Sequence, residues 1–240
     1  MTQANAEEIQ FLESLPLFEG LSHQQLEQVL AAGHRRNFSA PAFVYLQGDP
    51  AEGFYLLLQG RIKLSQVTPE GQQVILRYAA PGEAFGVIAV LSRVRYPVSA
   101  LTVEDSQLLV WDQQNMRLLM EKLPRVGLNA LAILAARVRE FQDRVRELST
   151  ERVERRIARA LIRLARQTGR KTEDGILIDL PLTRQDLAEM TGTSLYTVSR
   201  TLSNWESQGL VKSKREQVTI TYPHGLVSIA EDLVGGEEAM

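Results

Sequence analysis

The apolar spacing of this chain changes character between residues 112 and 124, and that change limits the fold more than any other feature. From about residue 36 to 112 the chain is a series of short β-rich runs: FVYLQG, FYLLLQG, RIKLSQV, QVILRYA, AFGVIAV, VSALTV and QLLVWD. Gly48, Gly60, Gly71 and Gly82 punctuate them at intervals of 12, 11 and 11 residues. Turn signals at such spacing predict an antiparallel sandwich or small barrel. Thr68-Pro69-Glu70-Gly71 is the clearest hairpin turn, with Pro and Gly supplying the special dihedrals. From Pro124 to Ser149 the spacing is helical. Leu131, Leu134, Val138, Phe141, Val145 and Leu148 follow one another at 3, 4, 3, 4 and 3 residues. Arg137, Arg139, Glu140, Asp143, Arg144, Arg146 and Glu147 flank that seam. So narrow a stripe between charged flanks predicts pairing with the same helix of a second copy; packing on the chain's own barrel is the alternative.

Ahead of the β-rich stretch the chain reads as one or two short helices, with Ser22 as an N-cap. After the seam, a second helix from Glu151 to about Thr168 presents Val153, Ile157, Leu161 and Leu164, and Gly169 stops it. GRKTEDG then reads as a polar loop and ILIDLPL as a short strand.

Composition removes several classes of function. The 240 residues suit about two domains. At 44% apolar and 23% charged, the chain has the balance of a folded globular protein. No apolar run reaches the roughly 18–20 residues a membrane span needs. The opening MTQANAEEIQ has no signal-peptide pattern, so a cytoplasmic location and no membrane partner are the expectation. There are no cysteines, which removes disulfides, thiolate metal sites and cysteine nucleophiles. His23, His34 and His224 are far apart, so no metal site is expected. With no His pair, no Cys and no phosphate-cradling Gly-rich loop before a helix, no catalytic residues are assigned and an enzyme is not expected.

The net charge of −2 conceals a regional bias. Residues 151–230 carry 13 basic and 9 acidic side chains, an excess of +4, while the last ten, EDLVGGEEAM, carry four acids and no base. A basic region beside an acidic tail is compatible with a polyanionic partner.

The strongest motif is LTRQDLAEMTGTSLYTVSRTLSNWESQGLV, residues 182–211. Thr183 and Asp186 have the spacing of a capping box. A short helix to about Met190 and a turn at Thr191-Gly192-Thr193 follow, Gly192 being free to take positive φ. A second helix begins near Ser194 and runs to about 209. Val198, Leu202 and Trp205 share one face of it; Tyr196, Ser199, Arg200 and Ser203 share another. A polar face with an early arginine is what a helix entering the DNA major groove needs, because Arg bonds guanine O6 and N7 bidentately. LVKSKREQVTITYP then reads as two strands with a basic tip at Lys214 and Arg215, a wing suited to phosphate.

These segments, in this order, resemble the CRP/FNR family of bacterial transcription factors (cyclic-AMP receptor protein / fumarate-nitrate regulator). LPLFEGLS leads in; FVYLQGDPAEGFYLLLQGRIKLSQVTPEGQQVIL and PGEAFGVIAVL are similar to the family's jelly-roll sensor; residues 182–211 are similar to its helix–turn–helix. The resemblance implies an α+β chain: a sensor jelly roll over residues 1–122, a dimerisation helix over 123–149, a winged helix–turn–helix domain over 150–230 and an acidic tail over 231–240. It implies double-stranded DNA, a second copy of the chain and RNA polymerase as partners, with an inverted repeat as the binding site. Ser199 and Arg200 match the family's E-x-x-[SG]-R core, so Arg200 is expected to read a guanine in each half-site. Arg184, Gln185, Ser194 and Thr197 match positions that hold phosphates. Tyr196 stands where most members have a glutamate, so the half-site is expected to differ at one position.

The same resemblance bears on the effector. Val87 stands where cyclic-nucleotide members have a ribose-binding glutamate, Tyr96-Pro97 where they have Arg-Ser, and Phe141-Gln142 where they have Thr-Ser. Cyclic AMP is therefore disfavoured, and an iron–sulfur cluster lacks its cysteines. What remains is a mostly apolar pocket expected at Phe85, Gly86, Val87, Ile88, Tyr96, Val98 and Phe141, with Arg95 and Arg137 as charged contacts. The nitrogen-control branch, which senses 2-oxoglutarate, has a similar Phe-Gly-Val-Leu run and an arginine at the place of Arg137. Three readings stay open: an effector-independent regulator, a 2-oxo-acid-responsive one, and one responding to haem or nitric oxide with His34 as a candidate ligand.

Overall fold

The computed structural model describes residues 3–87, 92 and 94–232, with side chains from residue 6. The chain divides into two compact units, residues 1–72 with 76–141 and residues 142–240 with 73–75, so the main division falls within one helix, between Phe141 and Gln142.

The first unit opens with α1 (Gln3–Glu13), a 3-10 turn at Pro16–Phe18 and α2 (His23–Ala32). Ser22 caps α2 in a full capping box with Gln25. Six antiparallel strands follow: β1 (His34–Phe38), β2 (Ala42–Tyr45), β3 (Gly53–Val67), β4 (Gln73–Ala79), β5 (Ala84–Phe85) and β6 (Ser99–Asp112). The sheet runs β1-β6-β3-β4, with β2 on β6 and β5 on β3. Helix α3 (Gln113–Lys122), capped by Asp112, leads into α4 (Pro124–Thr150).

Two pairs of expected strands are each a single long one. FYLLLQG and RIKLSQV together form β3, and VSALTV and QLLVWD together form β6. Gly60 is therefore a mid-strand bulge and not a turn. The β3–β6 register shifts between Leu57 and Ile62, and the shift changes which parity of β3 faces inward. Before it, Tyr55 and Leu57 join the barrel core; after it, Ile62 and Leu64 do. Phe54 and Leu56 face the second core instead, with Leu109, Trp111 and the helices. Gly60 makes this possible. It has φ +90°, and a Cβ there would fall 2.3 Å from Ser106 Oγ and 2.5 Å from the Asp105 carbonyl oxygen. Of AFGVIAV, Ala84–Phe85 is strand and Gly86 turns to φ +78°; residues 88–90 lie outside the described residues. The turn at Thr68–Gly71 forms as expected, the Gly71 N–H donating to the Thr68 carbonyl at 2.9 Å.

α4 has two apolar faces where the sequence reading gave one. Val126 and Ala130 are buried with the helical core, and Ile133 packs against it. Leu131, Val138, Phe141, Val145 and Leu148 are exposed, Leu131 by 60% and Phe141 by 62%, while Leu134 is half-buried. Leu128 is exposed too, one step before the seam begins.

The second unit holds the end of α4, then α5 (Val153–Thr168), β7 (Gly169–Thr172) and β8 (Gly175–Ile178). Next come α6 (Arg184–Thr191), α7 (Leu195–Ser207), β9 (Val211–Lys214), β10 (Gln217–Ile220) and α8 (Pro223–Glu231). Its sheet runs β7-β8-β10-β9. GRKTEDG is thus a hairpin and not a loop: Gly169–Thr172 pairs with Gly175–Ile178. Glu231 ends α8 and Asp232 caps it, and they pair with Arg159 and Arg155. The remaining residues of the acidic tail, 233–240, lie outside the described residues.

Gly60→Ala is expected to cost about 2–3 kcal/mol through backbone strain and overpacking. The check is the urea midpoint of the full chain. Gly127→Ala, a helical site with no neighbour within 4 Å, serves as the control and should hold or raise that midpoint.

Candidate nucleic-acid interface

The helix–turn–helix is held by local chemistry at each end. Thr183 caps α6 in a reciprocal box: its Oγ1 accepts from the Asp186 N–H at 2.9 Å, and Asp186 accepts from the Thr183 N–H at 2.9 Å. Gly192 closes α6 in the left-handed conformation, φ +60° and ψ +47°. Two residues later Ser194 caps α7, its Oγ accepting from the Thr197 N–H at 3.2 Å. Val198, Leu202 and Trp205 fix the rotation of α7 by burying its inner face.

That rotation decides what α7 presents. Tyr196 is 74% exposed, Arg200 and Ser203 are exposed, and Ser199 is half-buried. Arg200 has no hydrogen bond or ion pair within the described residues, so its guanidinium keeps all its donors for a partner. Ser194 and Thr197 stand at the helix start, their hydroxyls 2.9 Å apart. Gln185 is exposed on α6 and donates to Glu189 at 2.9 Å.

Arg184 is placed differently. It is half-buried and donates to Ser213 Oγ at 3.0 Å. Ser213 in turn is bonded to Glu206, which also accepts the Ser213 N–H at 2.8 Å. Arg184 thereby ties α6 to β9, and through Glu206 to α7. Neither Ser213 nor Glu206 was singled out in the sequence, where a serine and a glutamate in those segments carry no pattern. At the wing, β9 and β10 pair with Lys214 opposite Gln217, and Arg215-Glu216 form the turn. Lys214 and Arg215 are exposed there; Glu216 takes φ +58°, and its carbonyl accepts the Leu182 N–H at 3.0 Å.

Much of the regional basic excess is spent internally. Arg163 donates to the buried Glu147 at 2.8 Å, Arg159 to Glu151 at 3.0 Å, and Lys212 pairs with Asp174 at 2.6 Å. The Lys212 ammonium holds the Asp174 carboxyl below its ordinary value. Arg200, Lys214 and Arg215 remain as exposed cations on the recognition helix and wing.

The residues expected to form one sensor pocket are divided among several surroundings. Phe85, Tyr96 and Val98 belong to the barrel core. Tyr96 stacks on Tyr45 at 3.7 Å and 13°, and Phe85 on Tyr55 at 5.2 Å and 12°. The Tyr96 hydroxyl accepts the Gly53 N–H at 2.9 Å and donates to the Gly53 carbonyl at 2.7 Å. Burial pushes the Tyr45 and Tyr55 hydroxyls well above the usual range, so both stay neutral. Gly86 lies against Gly53 and Tyr55, where a Cβ would come within 2.9 Å of the Gly53 carbonyl oxygen. Val87 packs on the other core, with the helices. Arg95 is exposed and donates to the Gly48 carbonyl at 2.6 Å. Phe141 is exposed, and Ile88 lies outside the described residues. Arg137 is held by Glu83 at 3.1 Å and Glu140 at 2.8 Å, and Arg77 holds the same Glu83 oxygen. Burial lowers the Arg77 guanidinium, whereas at Arg137 Glu83 and Glu140 outweigh burial and raise it. Tyr45, Tyr55, Arg77 and Glu83 were not foreseen as pocket residues. His34 is exposed on β1. Among the described residues no cluster of three His, Asp or Glu could hold a metal ion, and no helix is long and apolar enough to cross a membrane.

A family model of the cyclic nucleotide-binding domain matches residues 35–122, and one of the Crp-like helix-turn-helix domain matches residues 155–229. The Cyclic AMP receptor protein of Thermus thermophilus is 33% identical over 197 residues, 82% of this chain and 88% of that protein. The chain belongs to the CRP/FNR family. The Global nitrogen regulator of Synechococcus elongatus is 28% identical to this CRP/FNR chain over 185 residues, covering 76% of it and 83% of the relative. Among solved structures, the c-di-GMP-responsive global regulator CLP of Xanthomonas campestris superposes with a TM-score of 0.74 at 22% identity. That match covers 83% of this chain and 99% of CLP, and shows the shared fold. This CRP/FNR chain is a transcription regulator with a helix–turn–helix DNA-binding domain.

Thr183→Val keeps the shape of the α6 cap and removes its acceptor. It should cost about 1 kcal/mol, read as a lower melting temperature.

Proposed function

We propose that the chain acts as a homodimer on an inverted repeat, Arg200 reading one guanine in each half-site. The carrying observation is the outer face of α7, where Arg200 stands exposed beside Tyr196 and Ser203, without a partner among the described residues, while the inner face is locked in the core. Arg200 fits a bidentate contact to guanine O6 and N7. Ser194, Thr197, Gln185, Lys214 and Arg215 fit phosphates, which set register without reading sequence. Tyr196 offers a hydroxyl and a ring, not a carboxylate, to the neighbouring base pair. Arg184 supports α6 against the wing first, and any phosphate contact would compete with Ser213.

The second copy is argued from α4. Its exposed stripe of Leu131, Val138, Phe141, Val145 and Leu148 keeps heptad spacing through the half-buried Leu134, and leaving it in water is unfavourable. A two-fold dimer would meet half-sites one helical turn apart, roughly 34 Å. Regulation through RNA polymerase belongs to the same proposal.

The regulator is proposed to bind DNA without a cyclic nucleotide. The relatives differ in the ligand they are named for, cyclic AMP in one and c-di-GMP in another. Here the stacked Tyr45, Tyr55, Phe85 and Tyr96 fill the barrel core themselves. A second reading, response to a small dicarboxylate such as 2-oxoglutarate, is favoured by Arg77 and Arg137 converging on Glu83.

The test is selection of duplexes from a random library by the purified chain, alone and with cyclic AMP or 2-oxoglutarate. Enrichment of an inverted repeat with a fixed G·C pair in the bare arm is expected; enrichment only with 2-oxoglutarate favours the second reading; none in any arm contradicts both. Arg200→Ala should weaken the selected site by about 1–3 kcal/mol and relax the preference at that pair. Val138→Asp should sediment as a monomer and bind the repeat weakly; a stable dimer would contradict the assignment of the seam.

A further inference from the structure

The last turns of α4 are bonded to the turn of the helix–turn–helix. Arg144 donates to the Met190 carbonyl. Arg156, on α5, donates from Nε to the Thr191 carbonyl at 2.9 Å and from Nη2 to the Gly192 carbonyl at 3.3 Å. Its Nη1 donates to the Glu151 carbonyl at 2.9 Å, just past the end of α4. Met190 and Thr191 are the last residues of α6, and Gly192 is its left-handed cap. The final carbonyls of a helix lack intrahelical partners and carry the negative end of its dipole. Here three consecutive ones are taken by two cations from outside the motif.

The charges around this contact are committed to it. Glu147 is buried, accepts from Arg163 at 2.8 and 2.9 Å, and lies 3.8 Å from Arg144. Burial first, and Arg163 next, push the Arg144 guanidinium down to about 10, with Glu147 opposing and Arg156 adding to the fall. Arg144 is still charged at neutral pH. An apolar contact adds to the grip: Leu148 Cδ2 stands 3.2 Å from where a Cβ on Gly192 would lie. A side chain of the seam helix thus lies beside the residue whose left-handed geometry separates α6 from α7.

We infer that Arg144 is a positioning residue for DNA recognition, clamping with Arg156 the turn that sets the start of α7 to the end of α4. The inference rests on the proposed DNA reading. Bidentate base readout needs Arg200 held in a narrow range of positions, whereas phosphate attraction tolerates movement. Loss of the clamp should therefore fall on sequence preference and leave non-specific binding alone. It also gives any displacement of the end of α4 a direct mechanical route to the recognition helix.

The experiment compares the full chain with Arg144→Met, which cannot donate, and Arg144→Lys, which keeps the charge and one donor direction. Affinity is measured for the selected repeat and for a scrambled duplex, and amide exchange is followed over residues 190–197. Arg144→Met should lower the repeat-to-scrambled preference tenfold or more, leave scrambled binding and sedimentation unchanged, and speed exchange over 190–197. Arg144→Lys should recover part of both. An unchanged preference and unchanged exchange in Arg144→Met would overturn the inference. If Arg144→Met does not fold, Arg156→Met decides: faster exchange than wild type at 190–197 supports the clamp, and wild-type exchange overturns it. A wild-type chain without preference for any repeat would defeat the DNA reading, and exchange over 190–197 would still judge the clamp.

Discussion

The antiparallel pair β3–β6 is the constraint on which the first unit depends. Every other strand there pairs with one of the two: β1 and β2 with β6, β4 and β5 with β3. The pair also sorts side chains into two cores, and a single irregularity at Gly60 permits it. Without the shift, Ile62 and Leu64 would face the wrong side of the sheet. The Trp111 indole then ties β6 to α2, donating to the Val29 carbonyl at 2.9 Å. The helices that lead into α4 are seated on the same sheet through the second core.

In the second unit the governing quantity is where positive charge is spent. Four arginines of α5 are engaged: Arg155 and Arg159 with Glu151, Glu231 and Asp232, Arg163 with Glu147, and Arg156 with backbone carbonyls. These arginines are half-buried and work on shape. Exposed cations are left on α7 and on the wing, where a polyanion could reach them, as well as at Arg166 on α5 and Lys171 on β7. Arg184, bonded to Ser213, and Arg144, bonded to Met190, belong to the first group although their residue types suggest the second.

The sequence was most legible where local chemistry decides structure. The Thr183–Asp186 box, the Ser22 cap, the start of α7 near Ser194, the left-handed Gly192 and the buried face Val198, Leu202 and Trp205 depend on residues a few positions apart. The heptad stripe of α4 was legible for the same reason, yet the second face through Val126, Ala130 and Ile133 was not, since it exists only where the sheet cores meet the helix. β1 was missed because HRRNF has no apolar run: it is an edge strand whose residues are mostly exposed. Gly60 was misjudged because a bulge and a turn make the same demand for positive φ, and only the partner strand distinguishes them. The sensor residues were the least legible. Their roles are set by contacts far apart in the chain, such as Tyr45 on Tyr96 and Glu83 on Arg137.

Two features of the chain thus point outward: the apolar stripe of α4 and the polar start of α7. Each is exposed, and each is held in place by a buried face of the same helix. The most direct test of their joint role is methylation interference at guanine N7 on a duplex bound by the full chain, read for wild type and Arg200→Ala. One sensitive guanine is expected in each half-site, the two separated by about one helical turn and related by two-fold symmetry, with both signals lost in Arg200→Ala. A single unpaired site, or a pattern unchanged by Arg200→Ala, would contradict that role.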